Sequence, residues 1–173
     1  MMYTGEKLLF DFTSPEESNR WRIVNDVVMG GLSQSVLQVT LEKTGLFEGT
    51  VSLENQGGFA SAWTGPKDFD LGDFEGLLAR LKGDGKLYKV KLKTELHMGG
   101  MAYETSIETR PGAWIVDRLP FAAFVPTFRG SLLSHAEPLD SSQIKQIGFM
   151  ISDKQVGAFR LEIEWVKAYR AVH

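Results

Sequence analysis

The 173-residue chain contains no cysteine and only three histidines. Without a thiol there can be no disulfide, no thiolate metal site and no cysteine nucleophile. The histidines stand apart at His97, His135 and His173, so no pair has the spacing of a zinc motif. Proline is sparse and no like-charge block forms a tail. The net charge of -3 gives no basic excess of the kind that follows a nucleic-acid backbone, and no nucleic-acid partner is expected. No apolar run approaches the roughly 20 residues of a membrane-spanning helix. "MMYTGEKLLFDF" has neither the basic start and long apolar core of a secretion signal nor the Arg- and Ser-rich pattern of an organelle leader. These features lead to the expectation of a cytoplasmic protein.

What the chain has in abundance is alternation. "YKVKLK" puts Tyr88, Val90 and Leu92 on one face and Lys89, Lys91 and Lys93 on the other. "FRLEIEW" sets Phe159, Leu161, Ile163 and Trp165 against Arg160, Glu162 and Glu164. "LQVTLE", with Leu37, Val39 and Leu41 inward, and "AYETSIE" repeat the pattern. A period of two with one dry and one wet face is the signature of antiparallel sheet. Further strands are expected at residues 7–12, 47–53, 58–63, 76–81, 114–119 and 144–152, with Trp21 to Val24 completing another. Ser14-Pro15 followed by two glutamates suits one short capped helical turn.

Glycine pairs punctuate these runs at Gly30-Gly31, Gly57-Gly58, Gly83-Asp84-Gly85 and Gly99-Gly100. "LKGDGKLY" is read as a hairpin. About ten short strands, four tryptophans and eleven phenylalanines predict an all-β fold. A two-sheet antiparallel jelly-roll sandwich accounts for them, its aromatic rings filling a gap of about 10 Å. No repeat or linker divides the chain, so one β-sandwich domain over residues 1–173 is expected.

Catalytic constellations are scarce. "MGGLSQS" lacks the Gly-x-Ser-x-Gly turn of a serine hydrolase. Gly83 to Gly85 lack the lysine and helix of a phosphate loop, and no Gly-rich strand-to-helix turn offers a dinucleotide site. Asp68, Asp70 and Asp73 cluster, but their spacing is not that of a helical calcium loop, so a solvated acidic turn is favoured over a metal site. Neither cofactor nor metal is expected. One enzymatic alternative is a carboxylate pair assembled in space, such as Asp26 with Asp153. Carbohydrate is the alternative partner, with Trp63, Tyr88, Tyr103 and Trp114 as stacking candidates and Arg129 and Asn55 as donors. Alternation places Tyr88 and Tyr103 on dry faces, which favours core.

"WRIVNDVVMGGLSQS" (21–35), "FEG" (47–49), "SLENQGGFASAW" (52–63), "LKGDGKLYKVKL" (81–92), "LPFAAFVPTFRG" (119–130) and "IGFMISDKQVGAFRLEIEW" (147–165) run in order along nearly the whole chain. In these blocks the chain resembles the complex I intermediate-associated protein family, the thirty-kilodalton assembly factor of respiratory complex I and its bacterial relatives. The resemblance implies a galactose-binding-domain-like jelly roll and a non-enzymatic, chaperone-like role with a protein partner. It implies no catalytic residues.

In "WRIVNDVVMGGLSQS", Asn25 and Asp26 are expected to turn the chain by accepting backbone amides two residues on. Val27, Val28 and Met29 would then close an end of the sandwich. The alternative groups Asn25, Asp26, Asn55, Arg129 and Asp153 at one rim as a recognition surface. The structural corner is favoured, because loops carry function only where they reach solvent.

Overall fold

The computed structural model describes residues 3–94 and 101–171. Thirteen strands run through them: β1 (Tyr3–Asp11), β2 (Trp21–Ile23), β3 (Gln34–Val39), β4 (Gly45–Val51), β5 (Ala60–Thr64), β6 (Gly76–Lys82), β7 (Leu87–Lys93), β8 (Met101–Glu108), β9 (Trp114–Pro120), β10 (Val125–Phe128), β11 (Ser131–Leu132), β12 (Gln146–Ile151) and β13 (Gly157–Ala171). They pair antiparallel into two sheets. A six-stranded sheet has the order β3-β4-β13-β6-β9, with β1 also on β13. A seven-stranded sheet has the order β11-β10-β8-β7-β12-β5-β2. The fold is the expected antiparallel jelly-roll sandwich.

Long β13 organises the first sheet. Residues 157–163 pair with β4 and residues 165–171 pair with β1, while β6 lies along the other side. The change of partner falls beside an irregularity between Ile163 and Trp165, where an extra residue increases local twist. Between the sheets, Phe47 meets Phe159 edge-on at 5.0 Å, and Phe10 meets Trp21 at 5.1 Å. Trp21 stacks near Phe12 at 5.8 Å, and these rings join buried Tyr88, Phe149, Ile151 and Leu161. Burying this much apolar surface is what drives the sheets together.

Several details depart from the alternation reading. β3 stops at Val39, and Leu41 is fully exposed in the turn before β4 rather than inward. Pro15–Arg20 does form a short 3-10 helix, but Ser14 bonds the Glu16 side chain at 2.5 Å and caps no backbone amide. The hairpin expected at Gly83-Asp84-Gly85 is instead a corner: β6 belongs to one sheet and β7 to the other. Asp84 fixes that corner by accepting bonds from the Lys86 amide, the Tyr88 hydroxyl and the Arg160 amide on β13.

The strands β10 and β11 were not expected. Pro126 argues against a strand by its lack of an N–H, yet it is tolerated in β10 next to the edge. Arg129 and Gly130 form the two-residue turn, both with positive φ, 51° and 84°. The Gly99-Gly100 turn lies outside the described residues.

Candidate interaction face

The corner at Asn25-Asp26 has an organisation that local turn chemistry does not supply. Asp26 is fully buried. Its Oδ1 accepts the Ser33 amide at 2.9 Å. Its Oδ2 accepts the Ser33 hydroxyl, the Gly58 amide at 2.6 Å and the Phe59 amide at 3.1 Å. Burial by itself raises the Asp26 carboxyl, but the Ser33 hydroxyl and the three amides outweigh it and hold the group below the usual carboxylate range. Asn25 Oδ1 accepts the Ser35 hydroxyl at 2.8 Å and the Ser61 amide at 3.3 Å. The partners are thus seven to thirty-six residues away, not two. Gly31 packs on the Asp26 carboxylate where no Cβ would fit. Val27 is exposed rather than closing the sandwich, and the side chains of Val28 and Met29 lie outside the described ones.

The five-residue rim does not assemble. Asn55 sits in an exposed turn with φ 55°, at the end of the sandwich that Asp26 buttons together. Asp153 follows β12 at that end and pairs with Lys89 at 3.3 Å. Arg129 joins β10 to β11 at the opposite end of the same sheet, since Phe128 pairs with Met101 while Leu87 pairs with Glu108. Asp26 is therefore an interior anchor, and it forms no carboxylate pair with exposed Asp153. His135 is exposed, and His97 and His173 fall outside the described residues. Asp68 Oδ1 accepts the Asp70 amide and pairs with Lys145 at 3.7 Å. Among the described residues no cluster of His, Asp and Glu is placed to hold a metal ion.

A different surface stands out: the outer face of the seven-stranded sheet. Directly paired residues share a face, so the register aligns Val125 with Glu104, Glu104 with Lys91, Lys91 with Gly148, Gly148 with Trp63, and Trp63 with Arg22. Glu104 is a hub. It lies 3.3 Å from Lys89 and 3.7 Å from Lys91, and it accepts the Thr127 hydroxyl at 2.9 Å. Lys91 is buried, and burial holds its amine below the usual lysine range even though Glu104 opposes the shift.

Beside this hub lies Trp63, only 5% exposed although it points away from the sandwich interior. Its indole rests on the backbone of Gly148, where any Cβ would come within 2.5 Å of the ring. The Trp63 Nε1–H donates to Ser61 Oγ at 3.1 Å, and Ser61 donates onward to the Val24 carbonyl. The Lys93 ammonium lies over the ring at 4.4 Å from its centroid. Burial, and then the neighbouring Arg22 guanidinium, hold the Lys93 amine below its usual range. The alternation of "YKVKLK" predicted that these lysines share a face. It gave no sign that two strands away a tryptophan would lie under one of them.

A sequence model of complex I intermediate-associated protein 30 matches residues 10–163. The chain belongs to that family. It is 26% identical over 183 residues to the mitochondrial complex I intermediate-associated protein 30 of Mus musculus, covering 94% of this chain and 56% of the relative. The Drosophila melanogaster counterpart is 25% identical over 181 residues, covering 92% and 61%. The chain thus spans somewhat over half the length of these relatives. Because they are named as mitochondrial proteins, the cytoplasmic expectation is overturned. Among solved structures the fold resembles a family 11 carbohydrate-binding module from Clostridium thermocellum, with TM-score 0.71, 18% identity and 99% coverage of both chains. Identity that low shows a shared galactose-binding-like jelly roll and nothing further. Among the described residues of this family member no helix is long and apolar enough to cross a membrane.

Proposed function

We propose that the chain acts as one β-sandwich domain over residues 1–173 that binds protein and assists the assembly of respiratory complex I, chaperone-like and without catalysing a reaction. The observation that carries this is the family match over residues 10–163. Support comes from the curated relatives, which are named for association with complex I intermediates. A non-catalytic role is consistent with the locked state of Asp26, whose oxygens are engaged by Ser33, Gly58 and Phe59.

The carbohydrate alternative draws only on the fold. Tyr88 and Tyr103 face the interior, Trp63 carries Lys93 on its ring, and half-buried Trp114 has Arg80 and Lys82 over it. No open platform for a pyranose ring remains among these four. The test is deletion of the gene in the native host, followed by native-gel quantification of complex I. Loss of the mature complex with accumulation of subcomplexes, restored by the wild-type chain, is expected. Unchanged complex I together with a strong glycan-array signal would replace this reading with the carbohydrate one.

A further inference from the structure

We propose that the outer face of the seven-stranded sheet receives an extended peptide segment of the protein partner, acidic at the end that meets Arg22 and Lys93 and apolar at the end that meets Val125 and Leu132. This rests on the protein-binding role proposed above and names its surface and the chemistry of its ligand.

Charge balance on the face is uneven. Lys89 and Lys91 have carboxylates in Glu104 and Asp153. Among the described residues Arg22 and Lys93 have none, yet Arg22 is close enough to perturb the Lys93 amine. Two neighbouring like charges with no carboxylate among the described residues cost free energy, and an anion set between them recovers it. The flat Trp63 ring lies beneath the Lys93 ammonium and across from Arg22, fixed by Gly148 and by the Ser61 bond at its edge. An ammonium already held on that ring loses little conformational entropy when an anion settles against it.

The opposite end of the face is apolar and open. Val125 lies directly across from Glu104, and Leu132, paired with Thr127, is 67% exposed. From β2 to β11 there are six strand spacings, roughly 29 Å at about 4.8 Å each. An extended chain of about nine residues covers that span at roughly 3.3 Å per residue. A face whose packed centre lies between cations at one end and exposed aliphatic side chains at the other suits such a segment better than a small free anion. A single anion would leave Val125 and Leu132 unmatched.

The full chain is titrated against a fluorescent nine-residue peptide with four glutamates at one end and four leucines and valines at the other, read by anisotropy at low salt. A second peptide carries lysines in place of the glutamates. We expect binding of the acidic peptide only, weakened at least tenfold in R22E/K93E and severalfold in L132S, with melting temperatures unchanged. If the charge reversal fails to fold, R22Q/K93Q takes its place and a smaller loss in the same direction is expected. Equal binding by wild type and double variant overturns the proposal. So does absence of peptide binding alongside Arg22- and Lys93-dependent binding to phosphatidylserine vesicles. Affinity capture from the native host separates the two claims. Capture of complex I subunits by both wild type and R22E/K93E removes this face while leaving the assembly role. Capture by neither removes the assembly role, and capture by wild type alone supports both.

Discussion

Asp26 and Ser33, seven residues apart, are joined twice, through the Ser33 amide and through its hydroxyl, and both bonds are buried. The same carboxylate accepts the amides of Gly58 and Phe59 ahead of β5. One side chain thereby ties the segment after β2 to the entry of β3 and to the loop leading into β5. Bonds to a charged acceptor are stronger than neutral ones, and donors left unpaired in the interior are costly.

Replacing Asp26 by alanine strands four donors in a buried site. The expected loss is about 3–5 kcal/mol, at the upper end for single substitutions, measured by urea unfolding at pH 7. The sign with pH follows from the lowered carboxyl. Its contribution is complete above the unfolded-state value near pH 4 and is lost as pH falls through the lower folded value. Wild-type stability should therefore fall below about pH 4 more steeply than that of Asp26→Asn. Parallel slopes for the two proteins would show that the carboxylate is not the anchor.

The contrast between this anchor and the rest of the fold shows what a sequence can convey. The two-faced strands were legible because alternation is local: Tyr88, Val90 and Leu92 face the core as expected. Asp26 was visible as a polar residue between apolar runs, but its partners at Ser33, Gly58 and Phe59 depend on how distant segments meet. The same limit hid the face around Trp63, whose neighbours Gly148, Lys93 and Arg22 come from three other strands. Arg129 was misplaced for a different reason. It serves as the first residue of a tight turn, where asparagine or glycine is the usual signal.

Lys91 and Glu104 offer a second test, because both are buried on a face that points outward. Removing one partner leaves an uncompensated charge, whereas replacing both by apolar groups of similar volume is often neutral. Glu104→Met should cost about 3–5 kcal/mol, since it also abandons the Thr127 hydroxyl. The double variant K91M/E104M should return to within about 1 kcal/mol of wild type. A double variant as unstable as Glu104→Met would mean that the Glu104 to Lys89 and Thr127 contacts, not the stranded lysine, set the cost.

Asp117 presents the opposite case from Asp26. It lies on β9, an edge strand, directly across from buried Ala79, so its carboxylate points toward the interior. Its Oδ2 is buried with no hydrogen-bond partner among the described residues. Burial raises the carboxyl, and nearby Glu108 adds to the shift. An inward charge on an edge strand is a known guard against edge-to-edge pairing, kept at a cost to stability. Above its raised value the folded state must hold the charged form, and below it the neutral form relieves that cost. Asp117→Asn should therefore melt higher than wild type at pH 7, with the gap closing as pH falls toward 4. Asp117→Val should gain more stability yet self-associate, seen by light scattering of the folded protein. A melting difference that does not change with pH, or a valine variant that stays monomeric at high concentration, would show that Asp117 neither strains the fold nor guards its edge.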